Sequence, residues 1–111
     1  MPSTGLTGPY ALTVATIDGT LSPNRIGAYA CGHTTGDSFY VDYVGRSDDN
    51  VAGRLKQHVG KYREFKYGYF NSAKAAFEKE CSLYHDFTPS DNTIHPARPA
   101  NSSFRCPVCG A

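Results

Sequence analysis

The sequence predicts an α/β fold: a small sandwich with a three-stranded, mostly antiparallel central sheet flanked by helices in the order β-β-α-β-α, followed by an irregular tail. Three observations predict it. Residues 26 to 44 hold two alternating strand patterns around a turn, residues 51 to 59 carry a helical apolar stripe, and residues 61 to 87 repeat a strand followed by a helix. A length of 111 residues suits one domain with a modest core. We divide it into an N-terminal extension (1–25), a core (26–95) and a tail (96–111).

Residues 1–9 contain two prolines, two glycines and three Ser/Thr, and read as frayed. Residues 10–17 alternate with β-branched side chains and read as a strand covering the sheet edge, ended by Asp18-Gly19. Ser22-Pro23-Asn24 then turns the chain into the first central strand, over 26–31, whose small residues let neighbours pack closely. The stretch from His33 to Asp37 supplies the hairpin turn, with Gly36 suited to positive φ and His33 left exposed. In the second strand Phe39, Val41 and Tyr43 share one face and Tyr40, Asp42 and Val44 the other. Ser47, Asp48 and Asp49 are the N-cap candidates of the next helix, where acidic groups suit the positive end of the dipole. Val51, Ala52, Leu55 and Val59 form its buried stripe, Arg54 and His58 lie together beside it, and Gly60 ends it. Residues 61–70 alternate as a third strand, and Asn71 or Ser72 caps a second helix over 73–86.

An apolar share of 40% and a charged share of 19% exclude a disordered chain. A net charge of +1 argues against a strongly basic, stand-alone nucleic-acid binder. Arg46, Arg54, Lys56, Lys61, Arg63 and Lys66 nevertheless fall within 21 positions, as a basic patch or an ordinary solvated face. No apolar run approaches the roughly 18 residues of a membrane span, and Met1 opens no signal-peptide pattern. A soluble, cytoplasmic protein with no membrane partner is the expectation.

At about 100° per residue, Ala73, Ala76, Phe77, Leu83, Tyr84 and Phe87 form one stripe of the second helix, and Glu80 lies at its centre. A glutamate is almost never buried alone, because an unpaired carboxylate in low dielectric is expensive. A cation must meet it, or it must be neutral. That cation is either Arg54, in a structural salt bridge, or a divalent metal lining a cleft.

Gly27-Ala28-Tyr29 and Tyr43-Val44-Gly45 form an ordered set with Arg54, eleven residues after Tyr43, with His58 one helical turn later, and with Glu80-x-x-Leu83-Tyr84. The set resembles the GIY-YIG nuclease superfamily over roughly residues 26 to 95. The resemblance implies the same β-β-α-β-α core and a metal-dependent endonuclease that hydrolyses phosphodiester bonds of DNA or structured nucleic acid. Glu80 would hold one Mg2+ or Mn2+, and Tyr29 or His58 would take the proton of the attacking water. Arg54 would stabilise charge growing on the phosphoryl oxygens, and Tyr43 would complete the network by hydrogen bonding. Arg46, Lys56, Lys61 and Asn92 would face the nucleic acid, Asn92 standing where the family usually has an asparagine. Ala28 replaces the usual aliphatic residue, which touches packing only. The sequence contains no helix-turn-helix or second basic domain, so specificity is expected from a protein partner or a homodimer. A second class of function is a zinc-stabilised module that holds nucleic acid or protein without cutting.

Four cysteines in a chain without export features do not read as a disulfide framework. Cys106-Pro-Val-Cys109 has the spacing of a zinc knuckle, and a structural zinc needs four ligands. Cys81 and His85, at i, i+4 on the second helix, supply the other two and staple the tail to the helix that carries Glu80, with His95 as the substitute for His85. The Cys-x2-Cys pair is not at a strand-to-helix junction, which disfavours a redox role. Cys31 reads as a small buried hydrophobe.

Overall fold

The computed structural model describes residues 4–92, 94–99 and 102–110. Seven elements follow one another: β1 (Thr7–Ala11), α1 (Val14–Thr20), β2 (Gly27–Thr35), β3 (Ser38–Ser47), α2 (Val51–Lys56), β4 (Glu64–Tyr69) and α3 (Ala73–Phe87). The strands form one antiparallel sheet in the order β1-β4-β2-β3. The α/β class stands, but the sheet has four strands rather than three. Residues 4–9 are not frayed: Thr4 is buried, and Thr7 and Tyr10 pair with Tyr67 and Phe65 to add β1 to the outer side of β4. Residues 10–17 are half strand and half helix. Thr13 divides them, because its hydroxyl accepts from the Thr16 backbone N–H at 3.1 Å and so caps α1.

The sheet separates two apolar layers. On one face α1 and α2 bury Ile17, Val51 and Leu55 against Tyr29, Cys31 and Phe65. On the other, Leu83 of α3 packs on Ala30 and Val44. Burying a side chain the size of Phe65 contributes about 1.5–3 kcal/mol, so these two layers supply the main hold on the helices. Lys56 adds an ion pair to Asp18 at 2.5 Å between α2 and α1.

Gly36 adopts φ +61° in the two-residue turn between β2 and β3, as expected. The faces of β3 do not alternate as expected. Cys31 pairs with Tyr43 but Gly32 pairs with Val41, so Asp42 is an extra residue in a β-bulge. Tyr43 therefore packs with the α1–α2 layer, while Phe39 and Val41 pack with the α3 layer. Gly32 is the enabling residue, because a Cβ there would collide with the Tyr40 carbonyl.

α2 is shorter than its apolar stripe suggests, and its cap is Asn50, whose Oδ1 accepts from Gly53 N–H at 3.2 Å, not Ser47, Asp48 or Asp49. The Ser47 hydroxyl is occupied one step earlier, accepting from Asn50 N–H at 2.8 Å. His58 consequently sits in the turn after α2, and Gly60, at φ +88°, completes the exit. Ser72 caps α3 by accepting from Ala75 N–H at 3.1 Å. Among the described residues, no helix is long and apolar enough to cross a membrane.

Gly32→Ala is expected to lower the free energy of unfolding by about 1–3 kcal/mol, the usual cost of forcing a methyl group into an occupied space. Urea denaturation measures it, and a stability equal to the parent's would mean that the bulge does not depend on this close approach.

Candidate active cleft and metal cluster

Tyr29, Tyr43, Arg54, His58 and Glu80 line one cavity of about 290 Å3 together with Gly45, Arg46, Asp48, Gln57 and Ala97. Five side chains expected to act together thus come from β2, β3, α2, the turn after α2, and α3. The cavity is reached from both faces of the sheet. Tyr29 pairs with Gly45 across the ladder, and a Cβ on Gly45 would overlap the Tyr29 ring and hydroxyl. The missing side chain lets the Tyr29 ring lie across the edge strand toward Arg46 and Glu80, which belong to the other face.

Tyr29 Oη and His58 Nε2 are 2.9 Å apart. The rings of Tyr43 and Tyr62 stack beside them, with centroids 6.1 Å apart, and Tyr43 lies 4.9 Å from the His58 ring. Burial raises the pKa of Tyr29 well above the ordinary phenol value, with the neighbouring Tyr43 and Cys31 adding to it and Arg54 opposing. Tyr43 is raised in the same way, by burial and then by the Glu80 charge. His58 moves the other way: burial first, then the positive charges of Lys61 and Arg54, push it below 6.5. The tyrosines hold their protons and the imidazole is neutral at pH 7. His58 Nδ1 is buried with no hydrogen-bond partner among the described residues.

Glu80 is buried at the centre of the α3 stripe, as its position requires. Its partner is Arg46 and not Arg54: Arg46 Nη1 donates to Glu80 Oε1 at 2.7 Å. Arg46 also donates from Nε to Asp48 Oδ1 at 2.9 Å, and its guanidinium lies 5.2 Å from the centre of the Phe77 ring. Burial works against the Arg46 charge, but the bonds to Asp48 and Glu80 outweigh it. For Glu80 burial wins, and its carboxyl titrates above the ordinary range despite the Arg46 bond. The reason the partner is Arg46 is geometric. Arg46 stands opposite Ala28 on the sheet face that α3 covers, whereas Arg54 is exposed on α2 with Gln57 as its neighbour at 3.5 Å.

Three of the four residues expected to meet nucleic acid have other structural roles. Arg46 is held inside the cleft, and Lys56 joins α2 to α1. Asn92 accepts from Val44 N–H at 2.8 Å and donates to Val44 C=O at 3.0 Å, while Asp91 N–H donates to Asp42 C=O at 3.0 Å. The 91–92 segment thus covers the outer edge of β3 with one backbone bond and two bonds from the Asn92 side-chain amide. Lys61 is an exposed cation, close enough to act on His58. His33, expected to be exposed, bonds Asp42 at 2.9 Å and stacks on Tyr40.

A second cluster lies in the tail. One ligand atom from each of His85, His95, Cys106 and Cys109 falls within 4.8 Å of all the others, a set that could hold a metal ion. Cys81 is not among them, and both histidines are. Cys81 lies behind Cys106 in a small core with Phe77, and its thiol, pushed up to about 12 by burial, stays protonated and bonds the Cys106 sulfur. Burial disfavours a thiolate at Cys106, but N–H bonds from Cys109 and Val108 outweigh it and bring the thiol to about 5. The His95 ring bonds the Pro96 carbonyl through Nδ1 at 3.0 Å, which leaves Nε2 as the acceptor, 3.4 Å from Cys109 Sγ. His85 Nε2 is buried with no hydrogen-bond partner among the described residues.

Asp48, Gln57 and Ala97 also line the candidate cleft and Tyr62 stacks on Tyr43 beside it, and the sequence reading assigned none of them to the site. Asp48 lies just past the end of β3, where strand alternation does not apply, and only its closeness to Arg46 along the chain was a usable signal. Tyr62, whose hydroxyl donates to Asp91 at 2.8 Å, had none. Asn92→Ala is expected to cost about 1–3 kcal/mol of stability by stripping the Val44 amide and carbonyl of their partners, and urea denaturation checks it. No protein-family model, curated protein or solved structure gives a significant match to this chain.

Proposed function

We propose that this chain is a GIY-YIG-type nuclease, a divalent-metal-dependent endonuclease that hydrolyses phosphodiester bonds of DNA or structured nucleic acid. The observation that carries the reading is the convergence of Tyr29, Tyr43, Arg54, His58 and Glu80 on one cavity. Glu80 and Asp48 fit a hard divalent ion, being carboxylates that face the same cavity. Mg2+ or Mn2+ held by Glu80 would supply Lewis-acid polarisation of a phosphoryl oxygen.

The remaining work falls to the side chains. His58 Nε2, neutral and 2.9 Å from Tyr29 Oη, is the terminal proton acceptor. Tyr29 relays: its oxygen accepts the proton of the attacking water as its own proton passes to His58. Its raised pKa makes it a poor resident base and suits this relay, because no tyrosinate has to persist. Arg54, exposed at the cavity, offers two parallel N–H donors to the phosphoryl oxygens, and protonated Tyr43 donates beside it. Specificity would come from a protein partner or a second copy of the chain.

Glu80→Ala and Arg54→Ala should each lower metal-dependent cleavage of a DNA substrate by about 100-fold or more, the scale of losing one electrostatic stabiliser. Absence of Mg2+- or Mn2+-dependent cleavage by the unmutated chain on DNA and RNA would replace this reading with a non-cutting binding module. The pH profile follows from His58. Its pKa is lowered, so the active neutral form is lost only as pH falls below 6.5, and kcat should be level through pH 7 with its acid limb below 6.5. An acid limb centred above pH 7 would exclude His58 as the acceptor.

We further propose that the His85, His95, Cys106 and Cys109 cluster holds a structural zinc. Support comes from His85 Nε2, buried without a partner among the described residues, from the His95 tautomer held by the Pro96 carbonyl, and from the easily ionised Cys106. Purified protein should contain one zinc per chain, and Cys106→Ser should remove it and lower the thermal midpoint. A zinc content near zero in the unmutated chain retires the site.

A further inference from the structure

We infer that Arg46 is an exchangeable lock: it holds Glu80 and Asp48 until a phosphodiester takes over its guanidinium, so that metal binding and nucleic-acid binding strengthen each other. The inference rests on the nuclease reading above and adds a resting state and a coupling to it.

The geometry comes first. Arg46 reaches Glu80 Oε1 from Nη1 at 2.7 Å, and reaches both oxygens of Asp48, from Nε at 2.9 Å and from Nη2 at 3.5 Å. One planar cation thus bridges the two carboxylates that face the cavity. Its side chain is 11% exposed and that of Glu80 10%, so neither is a fluctuating surface charge. A divalent ion on Glu80 would compete with Nη1 for the same oxygen.

Charge then dictates the direction. Arg46 and Arg54 offset Asp48 and Glu80 in the cleft, with His58 neutral. A divalent ion entering this balanced set places two positive charges beside a guanidinium already seated on its ligand. Like charges at that separation repel strongly where water is scarce. A phosphodiester relieves this, because its paired oxygens offer the guanidinium the same fork that Asp48 now occupies. Arg46 then leaves Glu80 to the ion. Linkage requires the converse, that an ion on Glu80 tightens the phosphodiester.

Binding of Mn2+ decides it, read from the loss of the free-ion electron paramagnetic resonance signal. The protein is zinc-loaded full-length chain carrying Tyr29→Phe, so that an added oligonucleotide survives. Glu80→Gln identifies ions bound elsewhere. Arg46→Met should bind Mn2+ at Glu80 about tenfold more tightly than the Arg46 chain, within the usual range of coupling between sites. Arg46→Lys, whose single ammonium cannot fork across two carboxylates, should fall between them and decides the matter if the methionine variant does not fold. A short DNA duplex should tighten Mn2+ more for the Arg46 chain than for Arg46→Met, which keeps only the direct contact between ion and phosphodiester. Unaltered or weaker Mn2+ binding in folded Arg46→Met and Arg46→Lys, with Glu80-dependent binding intact in the parent, overturns the lock and leaves the nuclease reading standing. If Glu80-dependent binding is absent in every variant and the Tyr29 chain cuts nothing, both fall.

Discussion

Everything in the cleft depends on a contact that only glycine permits, the Tyr29 ring lying where a side chain on Gly45 would be. An edge strand ordinarily screens the side chains of one face from those of the other, since successive residues point to opposite sides. Here β3 is the edge strand, and at Gly45 the screen is missing. A phenol and an imidazole from the α1–α2 side thereby share one cavity with a carboxylate and a guanidinium from the α3 side. The bulge at Asp42 does complementary work by turning Tyr43 to the Tyr29 face.

Glu80 imposes the second constraint. A carboxylate in the middle of an apolar helix face costs several kcal/mol unless it is paired, and Arg46 with Asp48 behind it meets that demand. The pair also spaces α3 from the sheet, because the Arg46 guanidinium fills the gap over Phe77. Polar groups that make no helix ladder or strand pairing thus decide where α3 sits as much as Leu83 does. The tail packs on the same helix, where Cys106 lies against Phe77 and Cys81.

Local patterns in the sequence were enough to place the elements that depend on local rules. The α3 stripe, Gly36 in its turn and Ser72 as one of two cap candidates could all be read from spacing and residue type. The bulge could not, because it is set by pairing with β2 and not by alternation along β3. The N-terminal helix was hidden by β-branched residues that suit strands equally well, although Thr13 and Thr16 carried a capping signal. In the cleft, Tyr29, Tyr43 and His58 were picked out through the resemblance alone, and Glu80 also through its place in the apolar stripe of α3. The cation opposite Glu80 was misread because helix neighbours are visible in sequence and cross-sheet neighbours are not. In the tail His85, Cys106 and Cys109 stand in the cluster as expected, and only Cys81 was misread in place of His95: an i, i+4 pair on a helix is easy to see, while His95 reaches the cluster through an irregular loop.

The 91–92 segment has a bearing on assembly. By pairing with Asp42 and Val44 it occupies backbone groups that an exposed edge strand would offer to a strand from another molecule. The opposite border of the sheet, β1, presents Pro9, which has no amide hydrogen to give. Continuous sheets running from copy to copy are disfavoured on both sides, so association of this chain with itself would have to use helices, loops or the tail.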